Sequence, residues 1–184
     1  MHRKTIFLAL KSVLIFSAWV LAAGCQSTKP IKTVDAVDIE RFAGDWYVIA
    51  SIPTFIEKDA YNAVESYRID EDGSIATTFK FNKGSLDGPL KVYTPRGFIR
   101  DQSSNAVWDM QFVWPFKAEY RIIYLAEDYS QTVIGRSKRD YAWIMAREPS
   151  IPDKDYERII QFLLAQGYKL DELRKVPHGK ATGG

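Results

Sequence analysis

A regular succession of short segments rich in β-branched and aromatic residues runs through most of this chain, with turn residues about every 8 to 14 positions. This spacing is typical of antiparallel barrels and sandwiches. No long helical stretch interrupts it, which disfavours a parallel sheet with crossover helices. Eight strands are predicted, at residues 45–52, 61–70, 74–81, 90–100, 106–114, 119–126, 131–137 and 141–147.

Eight consecutive strands joined by short turns are most simply closed on themselves. Closure removes exposed sheet edges and encloses a space about one small ligand wide. We therefore predict an all-β fold, an eight-stranded antiparallel up-and-down β-barrel.

One amphipathic helix is predicted after the strands. Pro152 suits its first turn and Gly167 ends it. A single apolar stripe packs against a single surface, so we expect this helix on the outside of the barrel. The stripe consists of Tyr156, Ile159, Ile160, Leu163 and Leu164.

The first 24 residues have the pattern of a signal peptide. Three basic residues precede an apolar run of about a dozen residues, at 12–22, which is too short for a membrane span of ~20. The run ends in Leu-Ala-Ala-Gly-Cys, which resembles the lipobox of bacterial lipoproteins and implies cleavage before Cys25 and lipidation of its thiol. Gln26, rather than Asp, implies the outer membrane in enterobacterial sorting. An uncleaved anchor, or a chance cysteine after an ordinary signal, is the alternative.

The predicted organisation has four parts. These are a cleaved signal peptide at 1–24, a lipidated tether at 25–35, a barrel domain at 36–174 and a flexible tail at 175–184. The signal peptide carries three of the 25 basic residues and none of the 23 acidic ones, so its removal changes the net charge from +2 to −1. Nucleic acid is therefore not an expected partner. Cys25 is the only cysteine, which excludes an internal disulfide and a cysteine-cluster metal site.

Strand alternation predicts which side chains face the barrel interior. It leaves two interpretations open, an ordinary filled core or a wall around an apolar ligand. Glu65 shares the parity of Tyr67 and Ile69, but we expect it to face water near the mouth. An inward acid with a raised pKa is the alternative. The predicted wall is Tyr67, Ile69, Phe79, Trp108, Met110, Phe112, Tyr120, Ile122, Tyr124, Trp143 and Met145.

Three blocks of sequence resemble the lipocalins. The segment FAGDWYVIA at 42–50 resembles their opening Gly-x-Trp block, Glu127-Asp128-Tyr129 stands where they carry Thr-Asp-Tyr, and WIMAR at 143–147 resembles their third block. The resemblance covers about residues 36–174. Together with the lipobox it is closest to the bacterial outer-membrane lipocalins and next to the apolipoprotein D group.

The resemblance assigns a structural role to the residues of these blocks. It implies that Arg147 lies over the Trp46 ring at the closed end of the barrel, a cation–π contact of ~0.5–2 kcal/mol. Glu127 departs from the threonine of the family. The residues concerned are Gly44, Trp46, Asp128, Tyr129 and Arg147.

Strand polarity puts the loops at 52–60, 83–89 and 114–118 at the open end. Two of them carry apolar residues where solvent is expected, namely Phe55, Ile56, Trp114 and Phe116. Basic residues lie nearby in the sequence, namely Lys58, Lys83, Lys117, Lys138 and Arg139. We hypothesise that this rim accepts lipid from a membrane or aggregate, with the basic residues favouring a phosphate or carboxylate head group. A lid over the cavity, or a contact in a homodimer, is the alternative.

Catalytic patterns are nearly absent. His2 leaves with the signal peptide, His178 lies in the tail, and neither a Gly-x-Ser-x-Gly elbow nor a phosphate loop occurs. We expect no catalytic residues, metal or cofactor. The resemblance implies a membrane-anchored binder that holds fatty acids or lysophospholipids for storage or transport. A scaffold lipoprotein of the envelope with a filled barrel, or a lipid-modifying enzyme, is the alternative.

Overall fold

The computed structural model describes residues 30–179. Two helices and ten strands are formed within that range. The helices are α1 (Ile39–Phe42) and α2 (Asp153–Ala165). The strands are β1 (Gly44–Ile52), β2 (Ala60–Ile69), β3 (Ile75–Lys83), β4 (Leu90–Tyr93), β5 (Arg96–Ile99), β6 (Val107–Val113), β7 (Phe116–Leu125), β8 (Gln131–Gly135), β9 (Ala142–Ala146) and β10 (Arg174–Lys175).

The strands β1 to β9 form a closed antiparallel barrel, in which β9 pairs back onto β1 from Tyr47↔Ala146 to Ile52↔Ala142. The predicted eight-stranded barrel is confirmed. The predicted strand at 90–100 is divided into β4 and β5, which both pair with β3. The division falls at Pro95, which has no amide hydrogen to donate to a neighbouring strand.

Helix α1 closes one end of the barrel. The Asp38 side chain caps it by accepting a hydrogen bond from the amide of Arg41 at 3.1 Å. This helix places Phe42 under the barrel, where the Trp46 indole Nε1 donates to the Phe42 carbonyl at 2.8 Å. Both rings are completely buried, so they form an aromatic plug.

Helix α2 packs on the outer face of the barrel, as predicted. Ile159 and Leu163 are fully buried against outward side chains of β1, β8 and β9. The predicted stripe is wrong at Leu164, which is exposed. Phe162 takes its place in the contact, with its ring 5.6 Å from that of Tyr124.

Gly167 ends α2 with a backbone φ of +85°, which favours glycine. Its amide donates to the Leu164 carbonyl at 2.9 Å, and the Tyr168 amide donates to the Leu163 carbonyl at 3.1 Å. This pair of bonds is a Schellman motif, which satisfies the last carbonyls of the helix.

The C-terminal segment occupies the gap between β1 and β2 near the open end. These strands pair directly only from Gly44↔Tyr67 to Tyr47↔Val64. Farther along, β10 pairs with β1 on the edge opposite β9, and the Asn62 amide of β2 donates to the Pro177 carbonyl at 2.9 Å.

The expected flexible tail is therefore wrong for residues 176–179. The Val176 amide donates to the Ile49 carbonyl, and the Gly179 amide donates to the Asn62 side chain. The His178 ring is hydrogen-bonded to the Val48 carbonyl at 2.9 Å. Residues 180–184 lie outside the described range.

The N-terminal segment is also bound to the barrel. Ile31 is buried, the Val34 amide donates to the Ile122 carbonyl at 3.0 Å, and the Val37 amide donates to the Ser104 carbonyl at 2.8 Å. Residues 31–35 thus belong to the barrel rather than to a tether. The proposed signal peptide and Cys25 lie outside the described residues. Between residues 30 and 179 no helix is long and apolar enough to cross a membrane.

Candidate functional site

The barrel interior contains most of the predicted wall. Trp143 is half-buried and packs against the same interior cluster. The predicted members that are buried there are Tyr67, Phe79, Trp108, Met110, Tyr120, Ile122 and Met145. Alternation places these side chains correctly because each of them lies within a regularly paired stretch of its strand.

The half of the barrel next to the plug is lined by stacked aromatic rings. Trp108 stacks on Tyr120 with ring centroids 5.2 Å apart and an angle of 12° between the planes. The edge of Tyr67 meets Trp108 at 5.6 Å, and the hydroxyls of Tyr67 and Tyr120 form a hydrogen bond. These two hydroxyls are the polar groups at the base of the candidate site.

Glu65 lies inside the barrel, so the expectation that it faces water is wrong. It is directly opposite Trp46 on β1 and Phe79 on β3, and opposed residues of an antiparallel pair share a face. Only 8% of its surface is accessible. Burial raises its pKa to about 7; a hydrogen bond with Tyr67 partly opposes this rise and the charge of Glu57 adds to it.

Glu57 is a second buried acid, which the sequence analysis missed. It belongs to the loop between β1 and β2 and is 7% accessible. Its carboxylate accepts hydrogen bonds from the Trp143 indole at 3.1 and 3.2 Å and from the Thr54 amide at 2.9 Å. Burial raises its pKa, and these bonds partly lower it. Loop residues have no periodicity, so no sequence pattern indicates that Glu57 turns inward.

The candidate site is acidic. Neither Glu57 nor Glu65 forms an ion pair with any residue of the described chain. The nearby Tyr67 and Tyr120 hydroxyls stay protonated, because burial raises the pKa of both. The interior therefore combines an apolar and aromatic wall with two carboxyl groups that have no protein cation as a partner.

Tyr124 was predicted for the wall but faces α2 instead. The pairing of β7 with β8 has a bulge between Ile122 and Tyr124. A bulge inserts one extra residue and so reverses which side chains point inward beyond it. Ile123 and Tyr124 consequently pack on the outer cluster, while Leu125 packs against the interior one.

Ile69 and Phe112 also lie outside the predicted wall. The Tyr67 ring already contacts the plug residue Phe42, with ring centroids 5.5 Å apart. Ile69 follows Tyr67 by two residues, so it lies past the plug and is exposed. Phe112 follows an irregularity in the pairing of β6 with β7, between Met110 and Val113, and about half of its surface is exposed.

The open end carries large exposed apolar side chains. Phe55, Trp114 and Phe116 are 82%, 81% and 76% accessible, while Ile56 is half-buried against the interior cluster. We call Phe55, Trp114 and Phe116 the apolar rim. Arg139, which the rim hypothesis placed among its cations, donates from Nε to the Gln166 carbonyl at the end of α2 at 2.7 Å.

Arg147 anchors the closed end. Its guanidinium lies 3.9 Å from the centroid of the Trp46 ring, as the resemblance implies, and donates to four carbonyl groups, those of residues 41, 42, 43 and 45. Gly44 has a φ of +93°, and a Cβ atom there would lie 3.4 Å from the guanidinium. This arrangement is structural, since the bonds tie the guanidinium to α1 and to the start of β1.

The turn between β7 and β8 joins this anchor. Asp128 accepts hydrogen bonds from the amide and hydroxyl of Ser130, and Tyr129 has a φ of +61°. The Tyr129 hydroxyl accepts from the Asp38 amide at 2.9 Å, and the Arg41 guanidinium lies 3.9 Å from the ring centroid. The turn therefore fastens α1 to the barrel.

A barrel closed by a plug at one end and open at the other, with a helix packed outside, defines the class of small-ligand-binding β-barrels. Comparison with known families gives the narrower assignment. The Lipocalin-like domain family matches residues 37–178, and the chain belongs to the lipocalins. Members of this family are generally binding proteins rather than enzymes.

The relatives agree with the resemblance seen in the sequence. Outer membrane lipoprotein Blc of Citrobacter freundii is 28% identical over 169 residues, covering 89% of this chain and 94% of the relative. Temperature-induced lipocalin-1 of Arabidopsis thaliana is 26% identical over 161 residues, covering 81% and 83%. Mouse apolipoprotein D is 25% identical over 145 residues, covering 74% of each. The likeness to bacterial outer-membrane lipocalins and to apolipoprotein D is thus confirmed.

A solved structure shows the same fold. The major allergen Per a 4 from cockroaches superposes with a TM-score of 0.61 at 19% identity, over 81% of this chain and 94% of that chain.

Proposed function

We propose that this protein is a lipid-binding lipocalin, anchored to the bacterial outer membrane, that holds fatty acids or lysophospholipids in its barrel for storage or transport. The observation that carries the proposal is the asymmetric interior. One end is sealed by the buried Phe42 and Trp46, while the opposite half, whose end carries the exposed apolar rim, is walled by apolar and aromatic side chains such as Phe79. A single acyl chain has the shape and apolarity that this half of the barrel requires.

The lipobox supports the anchor. Several relatives are named outer membrane lipoproteins. Ile31 is buried on the barrel, so five residues separate it from Cys25. Extended, this piece of chain spans about 20 Å, which keeps the barrel next to the membrane. Mass spectrometry of the protein from native membranes tests this part, and an unmodified Cys25 would contradict it.

The apolar rim supports transfer of lipid through the open end. Phe55, Trp114 and Phe116 expose apolar surface to water, which is unfavourable. Contact with a lipid surface would remove this exposure. We expect a Phe55→Ser, Phe116→Ser double variant to load lipid from vesicles more slowly while its affinity for dispersed lipid stays the same. If the double variant left both lipid loading and self-association unchanged, the proposed role of the rim would be contradicted.

Binding itself is tested by tryptophan fluorescence. We expect titration with a fatty acid or a lysophospholipid to quench the mature protein saturably. Trp143 and Trp108 should account for most of the change, since they line the interior. Trp143→Phe should remove more of the signal than the matched variant Trp114→Phe. No response to either lipid would favour the filled-barrel scaffold, and turnover of lipid esters that Glu65→Gln abolishes would favour an enzyme.

A further inference from the structure

We infer that Glu57 and Glu65 form an acidic recognition site inside the barrel, and that the ligand it matches is a single-chain amphiphile carrying a protonated amine. The inference rests on the proposed function in one respect, namely that an acyl or alkyl chain enters the barrel. It goes further by naming the head-group chemistry. The simplest members of this class are a long-chain alkylamine and a lysolipid whose head group ends in an ammonium.

The two acids come from different elements and are both buried. Glu65 projects inward from the middle of β2, and Glu57 enters from the loop above it at the open end. Glu57 is hydrogen-bonded to the Trp143 indole, and Trp143 packs against the same interior cluster as Phe79, the residue opposite Glu65. Trp143, on the opposite side of β1, holds the Glu57 carboxylate in place through its indole N–H.

Both carboxylates keep unused hydrogen-bonding capacity. A carboxylate has about four acceptor positions. Glu57 uses some of them for Trp143 and Thr54, and Glu65 has the Tyr67 hydroxyl as its partner. Burying a charged group without a counter-charge is costly, so the site is complementary to a ligand that brings positive charge and several donors. An ammonium group supplies three donors and no acceptor.

The same geometry disfavours a carboxylate head group in this position. Among the described residues, the titratable groups that interact with Glu65 are one acid and two neutral phenols, namely Glu57, Tyr67 and Tyr120. The Arg147 guanidinium beneath Trp46 is already committed to four carbonyl oxygens. The carboxylate of a fatty acid would therefore meet like charge at this site. It would avoid this repulsion only if it stayed at the mouth while the acyl chain entered the barrel.

Ligands of the same chain length and different head group provide the test. We would titrate the mature protein with dodecylamine, dodecanol and lauric acid at pH 8, below their aggregation concentrations, following tryptophan fluorescence. Dodecylamine should bind at least about tenfold more tightly than lauric acid, because a charge-assisted hydrogen bond contributes about 1.5–3 kcal/mol. Lysophosphatidylethanolamine and lysophosphatidylglycerol form a second pair that shows whether the amine is accepted on a phospholipid.

Three variants connect the preference to the two acids. Glu65→Gln and Glu57→Gln keep the side-chain shape and should each remove most of the preference for dodecylamine over dodecanol. Glu71→Gln, in the exposed turn after β2, is the matched control and should leave this preference unchanged.

Calorimetry in buffers of different ionisation enthalpy measures the protons released when dodecylamine binds. Release is expected near pH 7, and Glu65→Gln should lose it.

The outcomes separate this inference from the proposed function. If lauric acid binds as tightly as dodecylamine and Glu65→Gln does not change their ratio, the amine site is wrong while lipid binding stands. If none of the ligands binds, the proposed function fails. If dodecylamine binds and lauric acid does not, the amine site stands and the fatty-acid part of the proposed function fails.

Discussion

The Arg147 guanidinium lies 3.9 Å from the centroid of the Trp46 ring and at the same time donates to the carbonyl of Asp45. One side chain thus joins the last barrel strand to the plug. We expect Arg147→Ala to lower the free energy of unfolding by about 2–4 kcal/mol, because a cation–π contact and several charge-assisted hydrogen bonds are lost together. Urea denaturation followed by fluorescence measures this.

The matched control for that variant is Arg100→Ala. Arg100 is exposed and pairs only with Asp109, and surface ion pairs contribute about 0–1 kcal/mol. Unchanged stability in Arg147→Ala, combined with lost ligand binding, would contradict the structural assignment of Arg147.

Adjacent leucines of α2 test how the helix packs. Leu163 is fully buried against the barrel and Leu164 is exposed. Leu163→Ala should destabilise the protein by about 2–5 kcal/mol, whereas Leu164→Ala should cost about 0.5 kcal/mol or less. Thermal and urea melts of the two variants measure the difference. Equal losses would mean that the helix is rotated from the orientation described.

The bulge in β7 predicts different effects for two tyrosines of the same strand. Tyr124→Ala should lower stability, by about 2–3 kcal/mol, because its ring packs on Phe162 outside the barrel. It should leave ligand quenching unchanged. Tyr120→Phe removes a hydroxyl of the interior and should change ligand affinity with little loss of stability. If folded Tyr124→Ala bound the ligand with a changed affinity, the position of Tyr124 outside the barrel would be contradicted.

The buried Glu65 predicts a stability that falls as pH rises. Its pKa is about 7 in the folded protein against 4.5 as the ordinary value, so the folded state binds more protons between these pH values. The contribution of neutral Glu65 is therefore fully present below about pH 4.5 and is lost as pH rises through about 7. The loss at pH 8 is on the order of 3 kcal/mol.

Glu65→Gln should remove this dependence, since glutamine stays neutral. Denaturation at pH 5 and pH 8 measures the slope, and Glu71→Gln is the control that should retain it. The burial of Glu57 acts in the same direction, so a smaller slope is expected to remain. A wild-type protein that is more stable at pH 8 than at pH 5, with an unchanged slope in Glu65→Gln, would contradict the inward position of Glu65.

The sequence predicts the barrel because local patterns determine strands and turns. The Gly44–Trp46 block and Arg147 likewise place the closed end, since they are recognisable as motifs. Alternation fails where pairing is irregular, and nothing in the residues of β7 marks the bulge before Tyr124. Glu65 was misplaced because its burial depends on the pairing of β2 with both neighbours rather than on its own residue type.

The tail shows a second limit of sequence patterns. Residues 176–179 have no strand pattern of their own, yet backbone hydrogen bonds to β1 and β2 hold Val176 and Pro177, and a bond to the Asn62 side chain holds Gly179. Such bonds depend on the available edges of distant strands, which composition does not reveal.

Because β10 and residues 176–179 fill the gap between β1 and β2, the barrel wall is completed by a segment more than 100 residues away in sequence from both strands. Until β10 pairs with β1, the part of β1 near the open end has a neighbour on only one side, namely β9. A product truncated before Arg174 would carry two unpaired edges beside its mouth, and open edges recruit other chains. Pairing of β10 with β1 therefore protects the mouth of the barrel against edge-to-edge association with other chains.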